Sequence, residues 1–475
     1  MKIDKIIKQI SEKDYNVILE MFRSNKSEKF MFLFTSIRNG VDEDTVFNEL
    51  KISDAAYYTL KSRLIDKIQE HLYLNISDER ITLLKNVSNI DRLLYKFPKE
   101  VAVALLLKME EDLVLHDMQN ELSLVYNALK KLHINSPKYY TFAQKYNKSV
   151  AFNLSIDKAE ILVLEFNKVL RNFFLNNADE EKSRLILYKT ELKHLSSLYP
   201  SHHLSVFSKL VDVQFALYVK DEKAMSDDDT IENNLRSVLE IFQKYKNDKA
   251  YPYYNQFVNF LYFEYYSSIK SFKNAQLYFD KIKESFADIV HCDRFFFTSC
   301  FFISLLDYFE AKESRKSVFR DWGFFEFSLD EDCFTDNVLH GVFVAYSSFY
   351  SQNYSLGIQK LNILLNRFSY KGFKQVEMEL KLLLALLYII NGKIELSEGL
   401  IRSVSKWISE NSGMASEKMY LFVRVLKLTT GSRKKEAKLK KAHELLTEFY
   451  HEMGHSLYFL GRIRIEHLHL DRIMD

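Results

Sequence analysis

The scarcity of proline and glycine constrains the fold of this chain more than any other sequence feature. There are 4 Pro and 11 Gly among 475 residues, against average usages of roughly 5% and 7%. Sheet proteins need many tight turns, and those turns draw on Gly, Pro and Asn-Gly pairs. Only Gly40 precedes Gly323, and no glycine-rich phosphate-binding motif is present. The chain is therefore predicted to be all-α.

The four prolines mark where helices are predicted to begin or end. Pro98, Pro137, Pro200 and Pro252 each fall between segments in which apolar residues recur at spacings of three and four. Proline is tolerated at a helix start but breaks a helix interior. His202-His203, which begins two residues after Pro200, is interpreted as a loop pair rather than a set of metal ligands.

Overall composition indicates a folded protein without a global attraction to nucleic acid or membrane. Hydrophobic residues make up 47% of the chain, and 66 Lys plus Arg balance 64 Asp plus Glu. The 3 cysteines form no C-x-x-C pair, which is typical of a reducing compartment. The longest apolar runs fall short of the ~20 residues of a membrane span. We expect a cytoplasmic protein with no membrane association.

The second half contains a repeated helix–turn–helix pattern. It occurs in residues 265–286, 347–368 and 384–407, with a weaker copy at 307–319 that divides the first interval into two. The period is then about 40 residues, in the range of solenoid repeats. Four positions of the second helix correspond across the three clear copies: Phe272, Ala275, Phe279 and Ile282; Tyr354, Gly357, Leu361 and Leu364; Ile394, Ser397, Ile401 and Val404.

These copies resemble the tetratricopeptide repeat, in which two helices cross at a small residue such as Ala275, Gly357 or Ser397. The period is longer than the family's roughly 34 residues, and the closing proline is missing. The resemblance implies an α-solenoid of stacked helix pairs whose rigid groove binds a partner peptide or helix. It therefore predicts a non-enzymatic scaffold or regulatory adaptor with a protein partner, without cofactor, metal or catalytic residues.

Three segments are distinguished along the chain. Residues 1–75 form a small helical domain, residues 76–225 a helical array of weaker repeats, and residues 226–475 the clearer repeats with a C-terminal capping helix. A non-repetitive helical array is the alternative to the solenoid.

The segment "DTVFNELKISDAAYYTLKSRLIDKI" within the amino-terminal domain resembles the helix-turn-helix of bacterial response-regulator output domains. The resemblance implies that Thr59, Ser62, Arg63 and Lys67 would face the DNA major groove. Residues 1–75 carry 12 Lys plus Arg and 12 Asp plus Glu, however, whereas a DNA-binding domain is expected to have a basic surface. The charge balance favours a helical cap for the solenoid. A transcription-linked regulator that contacts DNA through this domain stays the alternative function.

The motif His451-Glu452-x-x-His455 matches the helical zinc signature of many metalloproteases. A third ligand is missing, because the extended motif needs glycine at position 458 and histidine at 461, where this chain has Tyr458 and Gly461. The helix is predicted to continue to Glu466, which would place that carboxylate ~16 Å from His455. A zinc metallohydrolase is thus the third and weakest interpretation.

One strongly basic run contains Arg433, Lys434, Lys435 and Lys438. It is a candidate patch for an anionic partner, but the pattern favours a loop followed by a solvated helix start.

Overall fold

The computed structural model describes residues 7, 10, 12–50, 52–74, 79–219, 230–246, 248, 250–284, 296–311, 332–411, 417–429, 435–451 and 459–465. Throughout these ranges the chain is helical apart from short links, and it contains no strand. Consecutive helices pack against each other in pairs, which confirms the predicted all-α solenoid class. No helix of the described part is long and apolar enough to cross a membrane.

The chain divides into two compact units, residues 1–147 and 148–475. The first unit has one hydrophobic core around Leu33, Phe34 and Leu64 and a second around Leu106 and Leu129. Its helices are α1 (Glu12–Ser24), α2 (Glu28–Arg38), α3 (Glu43–Leu50), α4 (Asp54–Leu74), α5 (Glu79–Ser88), α6 (Ile90–Lys96), α7 (Lys99–Leu115) and α8 (Gln119–Leu132).

Helix α9 (Lys138–Asn176) extends past the boundary between the units, and the second unit contains the remaining helices. These are α10 (Asp179–Leu198), α11 (His202–Tyr218), α12 (Ile231–Lys244), α13 (Tyr251–Ser268), α14 (Phe272–Glu284), α15 (Phe301–Ala311), α16 (Phe334–Tyr350), α17 (Tyr354–Arg367), α18 (Lys374–Ile390), α19 (Ile394–Glu410), α20 (Glu417–Thr429) and α21 (Lys435–His451). A single 3-10 turn follows at Leu460–Arg462.

From α11 onward, the second unit is built as two sets of helices. Helices α11, α13, α15, α16, α18 and α20 pack side by side in that order, and we call them the first-helix row. Helices α12, α14, α17, α19 and α21 each pack against the row member that precedes them in the chain. Stacking of this kind buries the apolar faces that an isolated helix pair would leave in water.

The predicted small residues are buried in the helix pairs, and one of them lies at a close approach of neighbouring helices. Ala275, Gly357 and Ser397 are all buried, each near the start of a second helix. A Cβ atom built on Gly357 would lie 2.9 Å from the Cβ atom of Ser348 and 2.9 Å from Cδ1 of Leu387. The weaker copy at 307–319 lies largely outside the described residues.

Five helix pairs are joined by three-residue links of the same conformation. The central residue has a positive φ angle in each: Lys26 (50°), Asp117 (53°), Lys270 (57°), Gln352 (62°) and Gly392 (75°). In four of these links the third residue donates its backbone N–H to a carbonyl five residues earlier, as in Ser27 to Phe22 and Lys393 to Tyr388. This bond satisfies a helix-terminal carbonyl that would otherwise have no partner.

The predicted proline boundaries are confirmed. Pro98 is the N-cap residue of α7, Pro137 directly precedes α9, Pro200 lies between α10 and α11, and Pro252 is the second residue of α13. The domain boundaries predicted after residues 75 and 225 fall on segments 75–78 and 220–229, outside the described residues.

Two local predictions are wrong. The helix does not continue to Glu466, because α21 ends at His451 in the described part and residues 459–465 form the 3-10 turn and a non-helical stretch. Apart from the two bonds of the 3-10 turn, Arg462 N–H to Phe459 and Ile463 N–H to Leu460, the backbone of this stretch is bonded to side chains of other helices. His202 and His203 are not a loop pair, since they are the first two residues of α11 after the N-cap residue Ser201.

Candidate functional site

Residues 459–465, which we call the bound segment, lie against the first-helix row and are held there through their backbone. The N–H groups of Phe459 and Leu460 donate to Oε2 of Glu379 on α18, at 2.8 and 3.2 Å. The hydroxyl of Tyr346 on α16 donates to the carbonyl oxygen of Phe459. Glu379 is itself oriented by Gln375, whose Nε2 donates to Oε1 at 3.2 Å.

Two further tyrosines hold the second half of the bound segment. Tyr450 of α21 donates its hydroxyl hydrogen to the Ile463 carbonyl at 3.1 Å and accepts the Ile465 N–H at 2.9 Å. The Tyr350 hydroxyl accepts the Arg464 N–H at 3.1 Å. These bonds add to the two backbone bonds of the 3-10 turn and give partners to buried N–H and C=O groups that the turn leaves without one.

Two arginines of the bound segment pair with carboxylates of α15. Arg462 contacts both oxygens of Asp307, with Nε 2.6 Å from Oδ1 and Nη2 3.1 Å from Oδ2. Nε of Arg464 lies 3.0 Å from Oε1 of Glu310, and its guanidinium lies 4.5 Å from the centre of the Tyr450 ring. The two-bond contact between Arg462 and Asp307 favours arginine over lysine, because a carboxylate matches the planar fork of the guanidinium group.

The spacing of these charges follows from secondary structure. Asp307 and Glu310 are three residues apart on α15, so they share one face of the helix about 5–6 Å apart. Arg462 ends the 3-10 turn, and Arg464 follows it after Ile463, whose backbone is extended. Residues on either side of an extended residue lie about 6.6 Å apart. The two carboxylates of α15 are therefore spaced so that they can pair with side chains at alternate positions of an extended backbone.

Apolar burial completes the contact. Phe459, Leu460 and Ile463 are at most 1% exposed, and Ile465 is 7% exposed. The site thus combines apolar burial, backbone hydrogen bonds and two charge pairs, contributed by α15, α16, α18 and α21.

Burial and local charge fix the protonation states of the site. Burial raises the pKa of Tyr346 well above its usual value, and Tyr350 adds to the rise. Tyr346 is therefore a neutral donor at all physiological pH values. Burial lowers the pKa of Arg462, but the charge and hydrogen bonds of Asp307 outweigh it and the pKa is raised, so the guanidinium stays charged.

The predicted DNA-facing residues lie together on one face of α4. Thr59, Ser62, Arg63 and Lys67 are all exposed, and Asp66 shares that face. Thr59 donates its hydroxyl hydrogen to the carbonyl of residue 55 at 2.8 Å, and the Lys67 ammonium lies 5.7 Å from the centre of a phenylalanine ring. The four side chains thus form one continuous solvent-facing strip, as the resemblance implies.

The other sequence candidates are only partly described. Arg433 and Lys434 lie outside the described residues, Lys435 is exposed, and Lys438 donates to the carbonyl of Thr429 at 3.3 Å. Lys438 thus contacts the carboxyl end of α20, where a cation is favourable. Of the zinc motif, His451 is the exposed last residue of α21, and Glu452 to His455 lie outside the described residues.

No protein-family model, curated protein or solved structure matches this chain.

The residues that hold the bound segment were not found from the sequence. One signal was available: Glu379 lies on the apolar face of α18, with Val376 three residues before it and Leu383 four residues after it, and it is 0% exposed. A charged residue placed on a buried helix face needs a partner. The sequence does not reveal that this partner is backbone eighty residues further along the chain.

Proposed function

We propose that this chain is a non-enzymatic scaffold or regulatory adaptor that binds an extended peptide of a partner protein on the first-helix row. One observation carries the proposal: the row already holds a seven-residue segment, 459–465, that contains one 3-10 turn and no α-helix, mainly through its backbone groups. A surface that bonds to peptide backbone can accept more than one sequence, because every residue other than proline offers the same N–H and C=O groups.

The charges of the site indicate the kind of partner. Asp307 and Glu310 favour a peptide with two arginines at alternate positions, and the buried places of Phe459 and Leu460 favour apolar residues before them. The partner is therefore an extended basic peptide with apolar anchors rather than an acidic peptide. The stacked helix pairs and the buried small residues of the three repeat copies support a tetratricopeptide-like scaffold as its rigid support.

The test uses the full chain and a labelled peptide with the sequence FLGRIRI. The variant R462A/R464A removes both charge pairs of the bound segment while leaving the surface of the row intact. We expect the peptide to bind this variant more tightly than the wild type, as measured by fluorescence anisotropy. The added substitutions D307N/E310Q should weaken that binding by at least about tenfold, because each lost charged hydrogen bond contributes about 1.5–3 kcal/mol.

The matched control peptide is FLGAIAI, which keeps the apolar residues and lacks the arginines. If neither peptide binds the R462A/R464A variant, or if both bind equally well, the row does not select a basic peptide and the proposal fails. Circular dichroism of each variant establishes that the helices are retained.

A second candidate function, a transcription-linked regulator, is favoured by one observation, the exposed strip of Thr59, Ser62, Arg63 and Lys67 on α4. We expect DNA binding through this strip to weaken in R63A and to strengthen in D66N, since phosphate contacts are electrostatic. Purification of the tagged protein from its own cytoplasm, with and without nuclease, distinguishes the two functions. A protein partner that stays after nuclease treatment supports the adaptor, and nucleic acid released by nuclease supports the regulator.

A further inference from the structure

Two histidines and an aspartate converge where α11 begins and where α12 is linked to α13. His202 and His203 are the first two residues of α11, and Asp248 lies in the link. Each side chain offers one ligand atom, and these atoms lie within 4.8 Å of one another. The three side chains are partly buried, so they form a shielded rather than a fully solvated group.

The spacing of one pair fits metal ligation better than it fits a hydrogen bond. Nε2 of His203 is 3.4 Å from Oδ2 of Asp248. A charge-assisted N–H···O bond is usually about 2.7–2.9 Å long. Two ligand atoms that are each about 2.0–2.1 Å from a tetrahedral metal ion lie about 3.3–3.5 Å apart. The observed separation therefore matches that between two ligands of one ion.

The side chains of His202 and Asp248 are each oriented by further contacts. Nδ1 of His202 is hydrogen-bonded to the Tyr251 hydroxyl, and the imidazole stacks on the Tyr245 ring with the centroids 3.7 Å apart. Oδ1 of Asp248 accepts the Ala250 N–H at 2.8 Å. Metal-bound histidines and carboxylates are commonly fixed in this way through the atom that does not bind the ion.

Nearby carboxyl groups favour a cation here, although these side chains lie at the start of a helix. The amino terminus of α11 carries partial positive charge, which opposes a cation. The carboxylate of Asp248 offsets that charge, and the carboxyl group of Glu160 on α9 also interacts with His203.

We propose that His202, His203 and Asp248 bind one divalent transition-metal cation of the Zn²⁺ class. Two imidazole nitrogens and one carboxylate oxygen are ligands that suit Zn²⁺, Co²⁺ or Ni²⁺ better than the oxygen-preferring Mg²⁺ or Ca²⁺. The ion would join the start of α11 to the link before α13. This site is separate from the bound segment and does not depend on the peptide-binding function.

The experiment titrates the chelator-treated full chain with Zn²⁺ by calorimetry and with Co²⁺ by visible absorption. We expect one ion per chain and a Co²⁺ spectrum typical of nitrogen and oxygen ligands. H203Q and D248N should each weaken Zn²⁺ binding by at least about tenfold. D248N is a conservative test, because the amide oxygen of asparagine still accepts the Ala250 N–H.

The matched control is H194Q, which removes an exposed histidine on α10. Binding should be unchanged in this variant, and circular dichroism should be the same for all variants. The proposal is overturned if the wild type binds no Zn²⁺, or if H203Q and D248N bind it as tightly as the wild type does. Mg²⁺ serves as the control ion and should not compete.

Discussion

Replacement of Gly357 by alanine tests whether the small residue at the helix crossing is required by packing. Gly357 lies in α17, where an added Cβ would be 2.9 Å from the Ser348 Cβ on α16 and 2.9 Å from Leu387 Cδ1 on α18. The leucine tip can move, but the serine Cβ is fixed to the backbone of α16. Accommodation therefore requires the two helices to separate. Gly399 in α19 is the matched control, because a Cβ there would meet no atom within 4 Å.

The two substitutions should have different effects on stability. Alanine is favoured over glycine in a helix interior by about 1 kcal/mol, so G399A should stabilise the second unit by about that amount. G357A gains the same helix preference but loses about 1–3 kcal/mol to overpacking. We therefore expect G357A to be neutral or up to about 2 kcal/mol less stable than the wild type. The two variants should differ from each other by about 1–3 kcal/mol.

Urea unfolding followed by tryptophan fluorescence measures this difference in the right part of the molecule. Both tryptophans, Trp322 and Trp407, belong to the second unit. With an m-value of about 3 kcal/mol/M, the midpoint of G357A should lie about 0.3–1 M below that of G399A. If G357A raises the midpoint as much as G399A does, the close approach at Gly357 does not constrain the helix pair and the reasoning is refuted.

Three further predictions concern the turns, the buried histidine and the buried ion pair. Gly392→Ala should destabilise the chain by about 1 kcal/mol and Gln352→Gly should stabilise it by about as much, because both positions have a positive φ angle that only glycine adopts without strain; urea midpoints measure both. Burial, with a smaller contribution from a nearby lysine, lowers the pKa of His340 to about 3, whereas an unfolded histidine titrates near about 6.5. Stability should then fall as the pH decreases below about 6.5, by about 2 kcal/mol at pH 5, and this loss should be absent from His340→Asn when urea midpoints at pH 7.5 and 5 are compared. Asp336→Ala should cost about 3 kcal/mol, since Asp336 is 3% exposed and pairs with Arg171 at 3.4 Å; adding Arg171→Met should restore part of the lost stability, and equal losses in the single and double variants would contradict the pairing.

The helix pairs could be predicted because their signals are local. A buried helix face repeats at three and four residues, and proline stops a helix wherever it occurs. The positions of Ala275, Gly357 and Ser397 follow from the same periodicity, since close helix contact admits only small side chains. The positions of glycines did not predict the links between helices as well. Of the five three-residue links with positive φ, only the one with Gly392 contains glycine at that position.

The bound segment could not be predicted because its conformation is determined by distant residues. In isolation, the apolar spacing before and after His451 favours a longer helix, and that prediction is wrong for residues 459–465. The competing bonds come from Tyr346 and Glu379, which lie about eighty or more residues earlier in the chain. Periodicity within a window of the sequence contains no information about such contacts.

Backbone hydrogen bonding explains how a helical solenoid holds a segment that is not a helix. Burying the segment without partners for its N–H and C=O groups would cost about 1–3 kcal/mol for each unsatisfied group. Helices cannot supply those partners from their own backbone, because their interior groups are already bonded to one another. The partners must be side chains, and they must be long enough to reach past the helix surface. Tyrosine and glutamate meet this requirement at Tyr346, Tyr350, Glu379 and Tyr450. These tyrosines and the buried carboxyl group therefore do more than fill the core, since they bond to the backbone of the bound segment.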